Sequence, residues 1–128
     1  MDARGRLGRF GERFAAQYVE RVLGWRVERT RGRCRFGELD LVTRTPQGEL
    51  VVIEVRTRST DGFGTPLESV TPTKQRRLQR AIRRLVAELP DPKPSMVRVD
   101  VIGVTVRNGR VAAFDHVRGA CDIPSDGA

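Results

Sequence analysis

The feature that most constrains the fold is a pair of alternating segments joined by a short turn. Residues 36–44 and 49–58 each alternate apolar and polar side chains, which is the period of a β-strand. Between them lies Thr45-Pro46-Gln47-Gly48, which fits a three-residue hairpin loop with glycine in the left-handed conformation. This turn predicts that Thr45 faces Glu49, so that the numbers of facing residues sum to 94.

That register places Asp40 opposite Glu54. Side chains alternate along a strand, so one face is predicted to carry Glu38, Asp40, Glu54, Arg56 and Arg58. The other face, predicted to be the core side, carries Leu39, Leu41, Val51, Ile53 and Val55. Facing carboxylates lie with Cβ atoms about 4.5–5.5 Å apart and repel one another. Two carboxylates and water suit Mg²⁺, which can lower the pKa of its water and neutralise charge on a phosphate oxygen. The alternative is a solvent-facing acidic pair that neighbouring arginines neutralise.

The remaining pattern predicts an α/β (α+β) domain. A helix over residues 4–23 ends at Gly24, and a strand follows over residues 25–29. After a mobile loop over residues 57–66, Thr71-Pro72 begins a second helix, whose apolar positions are Leu78, Ile82, Leu85, Val86 and Leu89. A strand over residues 97–106, a turn at Asn108-Gly109 and a return strand over residues 111–117 complete a mixed sheet flanked by helices. We expect one domain over residues 1–118 and a flexible tail over 119–128.

Composition narrows the chemistry. The chain has 128 residues, a net charge of +8 and no apolar run that suits a membrane span or a secretory signal, so we expect one cytoplasmic domain. Cys34 and Cys121 lack the spacing and number of a structural zinc site, and His116 is the single histidine. His116 is therefore interpreted as a surface or strand residue. Any catalysis should depend on carboxylates.

The second predicted helix is strongly basic. Its cationic residues are Lys74, Arg76, Arg77, Arg80, Arg83 and Arg84, and no acidic residue precedes Glu88. A one-sided series of this kind can follow a phosphate backbone, although an exposed, solvated helix face is the alternative. Glu12 lies in the first helix, where a lone glutamate is ordinarily a solvated charge. A role in a site would require that helix to pack beside the hairpin.

Several segments together resemble a YraN-like family of uncharacterised bacterial proteins. These are Gly11-Glu12-Arg13-Phe14-Ala15-Ala16, Gly37-Glu38-Leu39-Asp40-Leu41, Val52-Ile53-Glu54-Val55-Arg56-Thr57-Arg58, the segment from Lys74 to Leu78, and Val99-Asp100-Val101-Ile102. The resemblance extends from about Gly5 to Val104. The family is similar to archaeal Holliday-junction resolvases and to the PD-(D/E)xK nuclease superfamily. It implies a restriction-endonuclease-like core in αβββαβ order.

The resemblance also implies a site. Asp40 and Glu54 would bind Mg²⁺ or Mn²⁺, Glu12 would be a further acidic residue, and position 56 should be lysine. This chain has Arg56 instead, which stays protonated and can stabilise phosphate charge but cannot act as a base. The first hypothesis is a metal-dependent endonuclease that acts on DNA as a homodimer, with branched DNA as one candidate substrate. Either Arg56 is an electrostatic element of its site or the Lys74 side chain reaches into the site. The second is a nucleic-acid-binding module with an impaired site, and the third is a structural or interaction domain.

Overall fold

The part of the chain that the structure describes forms a five-stranded mixed sheet with one helix on each face. The computed structural model describes residues 3–30, 39–59 and 71–121. In chain order the elements are α1 (Ala3–Arg21), β1 (Arg26–Thr30), β2 (Leu41–Arg44), β3 (Leu50–Arg58), α2 (Pro72–Glu88), β4 (Val97–Arg107) and β5 (Arg110–Cys121). The sheet order is β1-β2-β3-β4-β5, with β3 and β4 parallel and the other pairs antiparallel. The predicted α/β class and element order are confirmed. Glu38, Cys34 and most of the predicted mobile loop lie outside the described residues.

The hairpin between β2 and β3 has the predicted register. Leu41 pairs with Ile53 and Arg44 with Leu50, so the numbers of both pairs sum to 94. Gly48 has a φ of +87°, in the left-handed region where a glycine costs least. Strand β2 begins at Leu41, after a bend at Asp40, whereas the pattern predicted that Leu39 and Asp40 would already be in the strand.

Helix α1 covers one face of the sheet. Ala15 and Val19 are fully buried and pack in a cluster with residues of the sheet that include Ile53 and Ile102. The helix approaches β3 closely at Gly11, where an added Cβ would lie 2.9 Å from Cβ of Thr57 and still closer to its hydroxyl. Glycine at this position therefore allows the contact between α1 and the end of β3.

Helix α2 covers the opposite face, because it connects the parallel strands β3 and β4. It begins as predicted: the Thr71 side chain accepts a hydrogen bond from the Lys74 backbone N–H, and Pro72 is the first helical residue. Its predicted apolar face contacts the sheet through buried side chains that include Leu78, Ile82 and Leu85. Across the described residues, no helix has both the length and the apolar character that crossing a bilayer requires.

The position of α2 corrects one prediction. The core was expected on the face with odd-numbered residues of β2 and β3, but Val42, Leu50 and Val52 are also buried, against α2. Leu39 belongs to this second cluster and does not share the core of Leu41, because the chain bends between them. Both faces of the sheet therefore contribute to the hydrophobic core. Charged residues on the even-numbered face lie at the edge of the core that packs against α2.

The last two strands form a hairpin around the predicted turn. Asn108 and Gly109 have φ values of 53° and 74°, as a two-residue hairpin turn requires. Strand β5 continues to Cys121, past the predicted strand end at Val117 and past the expected start of the tail at residue 119. The pairing of β4 with β5 is irregular at two places, between Val99 and Val101 and between Thr105 and Val106.

Candidate active site

Two carboxylates lie close together: Asp40 directly precedes β2, and Glu54 is in the middle of β3. Asp40 and Glu54 are each only 3% exposed. The Val55 backbone N–H donates to Oδ2 of Asp40 at 2.8 Å, which fixes this carboxylate beside β3 one residue from Glu54. The two carboxylates are therefore close together, although regular pairing of β2 with β3 begins at Leu41 and does not include Asp40. Their burial contradicts the alternative of a solvent-facing surface pair.

The surroundings of Glu54 disfavour its charged form. Burial is the main cause, and the nearby charge of Asp40 adds to it; together they raise the pKa of Glu54 from 4.5 to about 7, although the charges of Lys74 and Arg56 act in the opposite direction. Oε1 of Glu54 lies 3.1 Å from Nζ of Lys74. Within the described residues the other oxygen, Oε2, is buried and has no hydrogen-bond partner. This side chain therefore has one buried acceptor to which the described residues donate no hydrogen bond.

Lys74 reaches this pair because of how α2 begins. The Thr71 cap fixes the first turn of the helix, and the Lys74 side chain, 24% exposed, extends from that turn to Glu54. The sequence grouped Lys74 with the arginines of α2 as a residue that contacts nucleic acid. The structure instead gives it the inward orientation that was the alternative to Arg56 as the cation of the site.

Arg56 and Glu12 lie near the pair in different ways. Arg56 follows Glu54 by two residues on β3, is partly buried, and its charge lowers the pKa of Glu54. Glu12, also partly buried, follows the Gly11 contact with Thr57 on the other face of the sheet. Over residues 3–30, 39–59 and 71–121, no three Asp, Glu, His or Cys side chains form a group that could hold a metal ion. The structure therefore brings Asp40, Glu54 and Lys74 together but does not add Glu12 as a third ligand.

The arginines of α2 extend away from the pair. Arg76, Arg77, Arg80, Arg83 and Arg84 are all exposed. Arg76 donates to Oγ1 of Thr73 at 3.3 Å, one turn back on the same helix. The basic surface thus begins beside the acidic pair, at the N-terminal end of α2, and continues along the helix.

The sequence also matches a known protein family. A model of the uncharacterised protein family UPF0102 matches residues 11–104, about three quarters of the chain. The chain belongs to the UPF0102 family. A UPF0102 protein of Mycolicibacterium gilvum is 41% identical over 119 residues, covering 92% of this chain and 95% of the relative. One from Streptomyces griseus is 40% identical over 119 residues, covering 93% and 98%. The family match includes α1 from Gly11 onward, the acidic pair and α2, whereas β5 lies beyond it.

This UPF0102 protein contains a third buried carboxylate, to which sequence reasoning gave no role. Asp100 is fully buried and accepts from Nε of Arg98 at 3.0 Å and from the Gly119 backbone N–H at 3.0 Å, while Nε2 of His116 lies 2.7 Å from its Oδ2. The Tyr18 hydroxyl lies 2.9 Å from Nδ1 of the same imidazole. The cluster therefore connects β4, β5 and α1. An aspartate between valines in a predicted strand, followed by the single histidine of the chain in the return strand, was the available signal.

Proposed function

We propose that this UPF0102 protein is a divalent-metal-dependent endonuclease acting on the phosphodiester bonds of DNA, with Asp40 and Glu54 as the acidic pair of its site. The observation that carries the proposal is Oε2 of Glu54, which is buried without a hydrogen-bond partner among the described residues. A buried polar atom without a partner costs about 1–3 kcal/mol of stability. A site that tolerates this cost, next to a second carboxylate, is arranged to receive a cation.

The residues present fit Mg²⁺ or Mn²⁺. Hard divalent cations prefer carboxylate oxygens, and Mg²⁺ commonly uses one or two carboxylates and retains several waters. Asp40 and Glu54 would hold the ion, whereas Glu12, which the family resemblance adds to the site, does not group with them among the described residues. Such an ion lowers the pKa of bound water and neutralises charge that develops on a phosphate oxygen.

Lys74 and Arg56 provide two cations with different chemical capacities. The Nζ of Lys74, which lies 3.1 Å from Glu54, can orient a water for in-line attack and can exchange a proton with it. Arg56 remains protonated, so its role is to stabilise the negative charge that builds on the phosphate during attack. In this proposal Lys74 takes the part that the family resemblance assigns to a lysine at position 56.

The exposed arginines of α2 would bind the nucleic-acid backbone. Guanidinium groups pair with phosphate through two parallel hydrogen bonds, and a net charge of +8 favours association with a polyanion. Because these contacts are with phosphates, recognition should depend on the shape of the substrate, such as a branched DNA, rather than on base sequence. The same proposal includes a relationship to Holliday-junction resolvases and to the PD-(D/E)xK nuclease superfamily. It also includes the cytoplasm as the place where the protein acts.

The second candidate is a nucleic-acid-binding module with an impaired site. Arg56 favours it, because arginine replaces the lysine that the family resemblance expects. The variant Arg56→Lys separates the two candidates. It should raise the cleavage rate sharply if the native site is impaired, and should leave the rate unchanged or lower it if Lys74 and Arg56 already perform the reaction.

The test is cleavage of labelled duplex, flap, single-stranded and four-way-junction DNA with Mg²⁺ or Mn²⁺. The wild type is compared with Asp40→Asn and Lys74→Met, with Glu88→Gln as a control that alters an exposed acid of α2, and with a chelator present. Metal-dependent cleavage that Asp40→Asn abolishes and Glu88→Gln retains is the expected result. If every one of these proteins binds DNA in a salt-sensitive way and none cleaves it, the result favours the nucleic-acid-binding module over the endonuclease.

A further inference from the structure

The two edges of the sheet differ in how they are protected. Edge strand β1 has five residues, Arg26–Thr30, three of them charged, and its pairing contains an irregularity. Edge strand β5 has twelve residues and includes the apolar run Val111–Ala112–Ala113–Phe114, most of which is exposed. Short, charged or bulged edges discourage pairing with another chain, whereas a long apolar edge is a template for it. The difference points to β5 as the edge that another strand covers.

A bulge determines which residues of β5 share a face. Val106 pairs with Val111 and Thr105 with Ala113, so Ala112 is an extra residue between two paired positions. Val111 packs against the core under α1, and the Phe114 ring contacts the Tyr18 ring on the same side, with centroids 4.9 Å apart. Val111 and Phe114 therefore share the α1 face. Arg110, Ala113 and Asp115, their neighbours along the strand, are on the opposite face.

This arrangement makes the edge complementary to itself. Two β5 strands can pair antiparallel around a two-fold axis at Ala113 when the extra residue of the bulge, Ala112, is left out of the pairing in each copy. Phe114 of each copy then lies opposite Val111 of the other. Asp115 of each copy then lies opposite Arg110 of the other. Both apolar residues meet apolar residues and both charges meet opposite charges, and the two contacts occur twice by symmetry.

Other registers lose this match. With the axis at Phe114, Asp115 would lie opposite Ala113, and Arg110 would lie opposite Val117. Neither charge then faces an opposite charge, and the aromatic ring faces only its own copy. The register at Ala113 also covers Phe114, which is 41% exposed and one of the three large apolar side chains exposed among the described residues.

We propose that two copies of this protein form a dimer through antiparallel pairing of their β5 edges, centred on Ala113. The two five-stranded sheets then become one continuous ten-stranded sheet. This inference is independent of the proposed nuclease activity, because it uses none of the residues assigned to the acidic pair or to the basic face of α2.

The test is the molar mass in solution, measured by light scattering after size exclusion. The wild type should have twice the 14.4 kDa mass of one chain. Asp115→Arg should be monomeric because it places arginine opposite Arg110, and Arg110→Asp should be monomeric because it places aspartate opposite Asp115. Circular dichroism establishes that each variant is folded.

The decisive experiment mixes the two single variants. In the heterodimer both cross-strand pairs again join an acid to a base, so the mixture should recover the dimer mass, as should the double variant. Glu88→Arg changes the net charge by the same amount as Asp115→Arg but lies on α2, and should remain dimeric. A monomeric wild type, or single variants that remain dimeric, would overturn the proposal.

Discussion

Two carboxylates on neighbouring strands are almost equally buried and yet have opposite electrostatic properties. Asp100 on β4 is 0% exposed and Glu54 on β3 is 3% exposed. Burial raises the pKa of Asp100, but hydrogen bonds from His116, Arg98 and Gly119 outweigh it and hold that pKa below its usual value. For Glu54, burial and the charge of Asp40 prevail and raise the pKa to about 7.

The difference shows which buried carboxylate receives enough hydrogen bonds from the fold and which one does not. At Asp100 the protein supplies donors from β4 and β5 and links them to α1, which is the arrangement of a structural carboxylate. At Glu54 it places a second carboxylate nearby and one lysine on one oxygen. We therefore interpret Asp100 as a residue that stabilises the fold, and we propose the Asp40–Glu54 pair as the place where a cation binds.

The largest effect is expected when Asp100 loses its charge. Asp100→Asn leaves the donors of Arg98 and His116 facing an amide, and breaking a buried charged network costs about 3–5 kcal/mol. We expect the free energy of unfolding, measured by urea denaturation, to fall by about 3 kcal/mol, whereas Glu88→Gln should change it by less than about 0.5 kcal/mol. An equally small loss of unfolding free energy for Asp100→Asn would contradict the interpretation of Asp100 as a structural carboxylate.

Glu54→Gln should act in the opposite direction, and its effect should depend on pH. Because the folded-state pKa of Glu54, about 7, exceeds its ordinary 4.5, the folded protein retains a proton that the unfolded chain releases. The wild type should therefore lose stability relative to Glu54→Gln as the pH rises from about 4.5 to about 7, by at most about 3 kcal/mol. Thermal melts of both proteins across this range, without metal, check the sign. Parallel pH profiles would contradict it.

Lys74→Met should have a smaller effect on stability. The charge of Lys74 lowers the pKa of Glu54, so its removal raises that pKa further and leaves Glu54 without its cation at pH 8. We expect a loss of about 1 kcal/mol at pH 8, because Lys74 is only partly buried, and a smaller loss at pH 5, where Glu54 is protonated. The measurement is urea denaturation at both pH values. Equal losses at the two values would show that Lys74 acts through packing alone.

The smallest effect on stability should come from the exposed arginines of α2. Arg80→Gln should change the free energy of unfolding by less than about 0.5 kcal/mol. It should nevertheless reduce the slope of log binding constant against log salt concentration by about 1, with DNA of any sequence. Fluorescence anisotropy over a range of salt concentrations measures this slope, with Arg107→Gln, outside α2 at the end of β4, as the control. An unchanged slope would remove α2 from the binding surface.

Local signals predicted much of this fold. The Thr45–Gly48 turn gave the register of β2 and β3, Thr71-Pro72 gave the start of α2, and Asn108-Gly109 gave the last hairpin. Each depends on the backbone preferences of a few adjacent residues, which a sequence displays directly. The proximity of Asp40 and Glu54 followed from the first of these turns.

Contacts between distant segments were not predictable in the same way. The burial of the even-numbered face depends on where the α2 crossover packs, and the contact of Lys74 with Glu54 depends on that same placement. The Tyr18–His116 contact joins residues 98 positions apart through side chains on α1 and β5. Alternation along one strand reveals which residues share a face, but not what covers that face.

The most direct test of the central claim is a calorimetric titration of Mg²⁺ into the protein at pH 8. The wild type and the control Glu88→Gln should each bind the ion saturably, and Glu54→Gln should bind it at least about tenfold more weakly, a difference of about 1.4 kcal/mol. Asp100→Asn, wherever it remains folded, should bind as the wild type does. Equal binding by the wild type and Glu54→Gln, or no binding by any of these proteins, would contradict the assignment of the acidic pair as a cation site.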